Sequence, residues 1–156
     1  MLKIITVVLG CFMVGSVVGL PKTTITVNEE TDLIIHNQRL VIQGFITSRT
    51  CELNCIAPDR KEFNDYGRLR AEWDDEKECM VMNQLNAAIQ GHGIGSALLQ
   101  TASRALKDAG FTRMKWRAEP NVRVSTLPQL IAFYTKNGGT MVRERSETAE
   151  FKMAFN

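Results

Sequence analysis

Histidine is nearly missing from this sequence of 156 residues, and the four cysteines, Cys11, Cys51, Cys55 and Cys79, include no C-x2-C pair. A structural zinc site needs clustered nitrogen and sulfur ligands, and His36 and His92 are the only imidazoles, so no metal is expected. Cys51 and Cys55 would close only a very small loop and Cys11 lies in an apolar run, so free thiols are expected rather than a disulfide framework. Proline is scarce, with four residues, and the eleven glycines follow no period, which excludes collagen-like and low-complexity chains. Charge of one sign is also lacking. Nineteen Lys and Arg face seventeen Asp and Glu, a net charge of +2, too small a basic excess to predict nucleic acid as a partner. What is there is an apolar content of 44% beside 23% charge, enough for one substantial core.

The first segment stands apart. Met1 to Leu20 carries one charge, Lys3, ahead of an apolar and small-residue stretch from Ile4 to Leu20. A basic start, a hydrophobic run and small residues at Gly15, Ser16 and Gly19 outline a signal peptide, and the run also reaches the lower edge of a bilayer-spanning anchor. Residues 1–21 are therefore read as a targeting or anchoring segment, with membrane association through residues 4–20. The competing reading is a buried strand, because Ile5-Thr6-Val7-Val8 is β-branched. Residues 22–156 are expected to form one domain.

From Thr23 the chain reads as strands first and helices later. Thr23–Val27, Asp32–His36 and Arg39–Thr47 are β-branched runs, with Asn37-Gln38 as a hairpin turn between the last two. Ala57–Glu78 is polar, without a clean period, and reads as a loop with a turn of helix around Tyr66 to Trp73. Cys79–Leu85 resumes as a strand. Ser96–Ala109 is the strongest helix, with Ala97, Leu98, Ala102, Ala105, Leu106 and Ala109 on one face and Gly110 as its stop. Phe111–Ala118 follows as a strand and Thr126–Asn137 as a helix, with Pro128 in its first turn and Gly138 ending it. Thr140–Arg145 and Glu150–Phe155 close the chain as a hairpin. The expected class is α/β (α+β), a mixed, mostly antiparallel sheet with helices packed on its faces.

Between the strand ending at Leu85 and the helix beginning at Ser96, Gly91, Gly93 and Gly95 alternate with Gln90, His92 and Ile94. Such a loop can turn successive N–H groups towards an anion, and the helix start behind it adds partial positive charge. A phosphorylated ligand suits this geometry. Plain packing is the alternative use of glycines at a strand-to-helix turn. The dinucleotide fingerprint fails for want of its third glycine and acidic partner, and the phosphate loop of nucleotide hydrolases fails for want of G-K-[ST].

The spacing resembles the acetyl-coenzyme A loop of the Gcn5-related N-acetyltransferase (GNAT) family: Gln or Arg, two residues, Gly, one residue, then Gly or Ala, met by Gln90, Gly93 and Gly95. That family's second signature is an asparagine after the next strand and a helix ending Phe-Tyr-x-Lys-x-Gly. Asn121 follows MKWRAEP, and Phe133-Tyr134-Thr135-Lys136-Asn137-Gly138 reproduces the helix end. The resemblance covers about Asp32 to Phe155 and is strong from Met82 to Gly139. Three departures stand out. Gly138-Gly139 replaces Gly-Phe, the stretch VRVSTLPQ lengthens the path from Asn121 to Tyr134, and no pair of helices is evident between Val27 and Cys79.

The resemblance implies an enzyme that moves an acetyl group from acetyl-coenzyme A to an amine acceptor. The backbone of Gly91, His92, Gly93, Ile94, Gly95 and Ser96 would then hold the pyrophosphate beside Gln90. The strand edge at Asn83, Gln84 and Leu85 would hold the pantetheine arm, with an N–H near Leu85 facing the thioester carbonyl, and Asn121 would join the cofactor site. Tyr134 matches the family's tyrosine, as general acid towards the departing sulfur. Glu78 and Glu119 are the carboxylates placed to act as general base. A cytoplasmic domain, anchored if residues 4–20 are retained, agrees with the cofactor's compartment. A non-catalytic protein of the same fold is the second reading, and a small secreted or membrane-anchored protein the third.

Overall fold

The computed structural model describes residues 24–58, 65–121 and 123–155. The apolar stretch read as a targeting or anchoring segment lies outside them. Among the described residues no helix is long and apolar enough to cross a membrane.

Alternation of inward apolar and outward polar residues builds one eight-stranded sheet. Its strands are β1 (Ile25–Ile35), β2 (Gln38–Ile46), β3 (Thr50–Ile56), β4 (Asp65–Asp74), β5 (Cys79–Ala87), β6 (Arg113–Ala118), β7 (Thr140–Glu144) and β8 (Ala149–Ala154). Helix α1 (Ile94–Asp108) joins β5 to β6, and α2 (Leu127–Lys136) joins β6 to β7. Spatial order is β1-β2-β3-β4-β5-β6-β8-β7, and β5–β6 is the parallel pair in an otherwise antiparallel sheet. This is the mixed, mostly antiparallel α/β sheet expected from the sequence.

One row of register partners shows where the core sits. Ile25, Ile46, Cys51, Ala71, Met82, Trp116 and Phe151 follow one another across seven strands on a single face. All but Ile25 are buried. Both helices cover this face, because each crossover steps from one strand to a later parallel position in the same direction and takes the same hand. Ile94, Leu98, Leu99 and Leu106 of α1 are buried under it, each contributing about 1.5–3 kcal/mol. Glu29 on β1 pins the outer side of α1 through Arg104 and Thr101. The adjacent row, Thr50, Glu72, Val81, Lys115, Lys152 and Thr140, lies on the opposite face. Among the described residues no helix covers that face.

Several expectations need correction. Ala57–Glu78 is not a loop with a helical turn, since Asp65–Asp74 is the strand β4: Leu69 and Ala71 point inward, Arg68, Arg70 and Glu72 outward, and the period of two wins. Thr50–Ile56, unassigned from sequence, is a strand in which Cys51, Leu53 and Cys55 point inward. The separate runs Thr23–Val27 and Asp32–His36 belong to one strand, broken by an irregularity between Glu30 and Ile34. The hairpin turn is His36-Asn37, not Asn37-Gln38. Both residues have positive φ, 50° and 61°, as a two-residue turn of this hand requires, and Gln38 already pairs with Ile35. Phe111 and Thr112 precede β6 rather than opening it, and Phe111 packs on Trp73.

The helices end where the sequence placed their stops. Gly110 and Gly138 take φ of 88° and 90°, which side chains rarely adopt. Helix α2 starts on a reciprocal cap, in which Thr126 Oγ1 accepts from the Gln129 N–H and Gln129 Oε1 accepts from the Thr126 N–H, with Pro128 in the first turn. The added stretch VRVSTLPQ thus supplies the cap of the helix that carries Tyr134.

Candidate functional site

The parallel pairing of β5 with β6 is brief, running from Met80↔Met114 to Met82↔Trp116, although β5 continues to Ala87. A bulge is the cause. On the other side of β5, Arg70 pairs with Gln84 and Ala71 with Met82, so Asn83 is an extra residue that bends the strand. From Asn83 onward the β5 edge facing β6 has no ladder partner, and a wedge opens through the sheet. Asn83, Gln84 and Leu85, expected to hold an extended ligand arm, lie on that edge.

The wedge leads to the start of α1. Gly91 and Gly93 take φ of 76° and 77°, and Gly93 is an N-cap that offers no side chain. The first intrahelical bond runs from the Ala97 N–H to the Gly93 carbonyl, 2.9 Å, so the N–H groups of Ile94, Gly95 and Ser96 have no partner within the helix. These donors and the helix dipole suit an anion. Gln90, Gly91, His92 and Gly93 are exposed, and His92 Nδ1 lies 2.9 Å from the Gln90 carbonyl, holding the ring against its own loop. The three glycines differ in purpose. A Cβ on Gly91 would meet open space and one on Gly93 would meet Leu33 Cδ2 at 3.3 Å, whereas one on Gly95 would press on Phe133 Cζ at 3.1 Å. Gly95 is a packing glycine between the two helices.

Tyr134 sits on the other wall. Its ring lies 5.2 Å from Trp116, 5.3 Å from Phe151 and 5.0 Å from Phe133, centroid to centroid. Trp116 is the last residue of β6 to pair with β5, so this aromatic cluster stands where the strands part. Burial alone pushes the Tyr134 phenol up to about 12, and the group stays protonated at neutral pH. Trp116 is buried and stacked on Phe151, and its indole N–H has no partner among the described residues.

The cluster accounts for Gly138-Gly139. A Cβ on Gly139 would come within 2.9 Å of both Trp116 Cζ2 and the Tyr134 carbonyl, so Trp116 fills from β6 the volume that a Phe after Gly138 would need. Gly139→Ala is therefore expected to destabilise the fold by about 1–3 kcal/mol, read as a lower midpoint in denaturant. An unchanged midpoint would show that the indole is not fixed there.

The remaining candidates are dispersed. Glu78 lies in the β4–β5 turn with φ 48°, five residues before Asn83, or roughly 16 Å at strand rise. Glu119 is exposed just past β6, 3.6 Å from Arg117 on the uncovered side of the wedge. Asn121 spends its side chain on the loop, its Oδ1 accepting from the Arg123 N–H. Sequence reasoning missed Glu72, which its assignment to a loop concealed. It stands beside Val81 on the uncovered face, close to the bulge, in an ion pair with Arg70 at 3.1 Å. No group of three His, Cys, Asp or Glu able to hold a metal occurs among the described residues. Cys51, Cys55 and Cys79 are free and buried, and burial pushes the first two thiols to about 12 and about 11, which keeps them unreactive.

Residues 66–139 match the model of the acetyltransferase (GNAT) family. Three solved structures share its fold. The PaiA N-acetyltransferase from Thermoplasma acidophilum, solved in complex with coenzyme A, is 16% identical with a TM-score of 0.53, over 68% of this chain and 61% of its own. The nourseothricin acetyltransferase is 14% identical with a TM-score of 0.54, over 83% of this chain and 88% of its own. The ribosomal-protein-S18-alanine N-acetyltransferase from Escherichia coli is 12% identical with a TM-score of 0.55, over 69% of this chain and 70% of its own. No curated protein matches the chain.

Proposed function

We propose that this protein is an N-acetyltransferase that uses acetyl-coenzyme A and an amine acceptor. The observation that carries the reading is the wedge beyond Met82, with the unpartnered β5 edge at one end of it and the uncapped start of α1 at the other. An extended arm ending in a pyrophosphate needs both, in that order along the chain. When bound, acetyl-coenzyme A supplies a thioester whose carbonyl carbon takes the amine lone pair as the carbon–sulfur bond breaks.

The chain's own groups divide the remaining work. N–H groups from Gly91 to Ser96 neutralise the pyrophosphate, and the backbone of Asn83 to Leu85 orients the arm. An N–H of that edge, near Leu85, supports the charge that develops on the carbonyl oxygen. Tyr134 gives its phenolic proton to the departing sulfur. Glu119, on the uncovered side, takes the amine proton through water and is preferred to the distant Glu78. The acceptor enters from the face without helices, since α1 and α2 occupy the other. The reading places the domain in the cytoplasm, where the co-substrate is.

Thermal unfolding of the full chain tests binding directly. A ligand at about 100 times its dissociation constant stabilises the native state by about 2.7 kcal/mol, so acetyl-coenzyme A should raise Tm by roughly 5–10 °C in a domain of this size. No rise at millimolar ligand would remove the assignment, while a rise without thiol release across a panel of amines would favour the non-catalytic reading.

A further inference from the structure

On the β6 side of the wedge the uncovered face of the sheet is cationic. Arg113, Lys115 and Arg117 alternate along β6 with the inward Met114, Trp116 and Ala118, so all three lie on that face. Their register partners on β8 are Ala154, Lys152 and Glu150, and on β7 Thr140 pairs with Lys152 and Arg143 with Glu150. Three neighbouring strands thus present five cations and one carboxylate, and that carboxylate, Glu150, lies 3.6 Å from Arg145. Among the described residues Arg113, Lys115, Lys152 and Arg143 have no carboxylate partner. Arg113 donates instead to the Lys77 carbonyl. Lys115 and Lys152 stand directly opposite one another, which destabilises the pair of strands unless an anion lies between them. The aromatic rings of this region, Trp116, Phe151 and Tyr134, are buried on the other side of the sheet, so no base can stack on this face.

We propose that this face docks an extended acidic polypeptide segment, and that the segment carries the acceptor amine. The proposal rests on the acetyl-transfer reading and names its substrate class. Spacing favours an extended chain. Outward residues of β6 recur about every 6.8 Å, which is also the step between side chains on one side of an extended peptide, so alternate carboxylates of a segment lying along β6 and β8 meet Arg113, the Lys115–Lys152 pair and Arg117 in turn. The row leads to the wedge. Trp116 is the last residue of β6 to pair with β5, so Arg117 stands where the strands part, and a residue of the segment one step beyond it enters the wedge between Glu119 and the edge at Asn83–Leu85. No ammonium pocket is needed, because the flanking carboxylates hold the segment and leave the amine free to lose its proton.

Fluorescence anisotropy of the full chain with labelled synthetic peptides tests docking without turnover. The first probe is a short peptide of one lysine followed by glutamate and glycine in alternation; the second has glutamine at every glutamate. The glutamate peptide should bind at least about ten times more tightly, and raising salt from about 50 mM to about 500 mM should remove most of that preference. Lys115→Gln with Lys152→Gln should abolish it, while Arg39→Gln with Lys107→Gln, which takes away the same charge elsewhere, should leave it in place. Equal affinity for the two peptides overturns the proposal, as does a preference that survives the Lys115 and Lys152 variant or one that the control variant loses equally. An oligothymidylate that binds as tightly as the glutamate peptide, and is released by the same two substitutions, makes the face a nucleic-acid surface and overturns it too. In a thiol-release assay the Lys115 and Lys152 variant should raise KM for the glutamate peptide about tenfold with kcat little changed. The binding preference without any thiol release would count against acetyl transfer and leave the docking surface standing.

Discussion

Gly93→Asp is expected to weaken coenzyme A binding about 100-fold or more in a protein that still folds. Gly93 is the N-cap of α1 and takes a φ of 77°, with no side chain between the helix start and a ligand. An Asp there places a carboxylate where a pyrophosphate must approach, and its oxygen competes for the free N–H groups of the first turn. Each hydrogen bond to a charged group is worth about 1.5–3 kcal/mol, so losing two of them accounts for the factor. The cost in folding is smaller. A side chain in the left-handed region costs about 1–2 kcal/mol, and its Cβ would meet only the flexible end of Leu33 at 3.3 Å. Titration calorimetry with coenzyme A, alongside a melting curve without ligand, separates the two effects, and undiminished affinity would take the pyrophosphate away from this loop. Gly95→Glu is a poorer test, because its side chain would also wedge apart α1 and Phe133 of α2.

The elements legible in the sequence were those with local punctuation. Gly110 and Gly138 stop their helices by conformations other residues avoid, and the apolar face of α1 repeats within a few turns. Strands β3 and β4 lacked such marks. Their inward positions include Cys51, Cys55, Gly67 and Ala71 rather than Val or Ile, because α1 lies close over them. A Cβ on Gly67 would come within 2.6 Å of Ile94 Cγ2. A strand built to admit a helix reads as a loop, since its small residues are explained only by a partner distant in sequence.

The site divides along the same line. Gln90 to Ser96, and Tyr134 near the end of its helix, are contiguous motifs, and their resemblance to those of the GNAT family can be read from single segments. The wedge is not contiguous. It arises from a one-residue excess in β5 against β4, which no single segment reveals. The same holds for Trp116 in the place of an absent Phe, for Glu72 beside the bulge, and for Lys115 opposite Lys152. Each depends on register between strands, which a hydrophobic pattern fixes only after the strands are known.

Tyr134→Phe is expected to lower kcat by about 100-fold or more with coenzyme A affinity nearly unchanged, because the proposed reaction uses the hydroxyl for the departing sulfur and the ring for packing. The ring contacts with Trp116, Phe151 and Phe133 survive in Phe, so folding should be little affected. A phenol raised to about 12 looks at first too weak an acid to protonate a thiolate. The comparison that matters lies inside the pocket, where the burial that raises the phenol also raises the thiol. A hydrogen bond formed as sulfur departs then favours the transfer. The direction of the shift has a second consequence. Tyr134 stays protonated in the native state through neutral and mildly alkaline pH, so any limb in the rate profile below about pH 10 belongs to another group and should persist in Tyr134→Phe. Steady-state rates of thiol release across pH 6 to 10, on wild type and variant, decide the matter. A full rate in the variant would return Tyr134 to packing alone, and a limb below pH 10 that vanishes with the hydroxyl would show that its ionisation lies lower than its burial dictates.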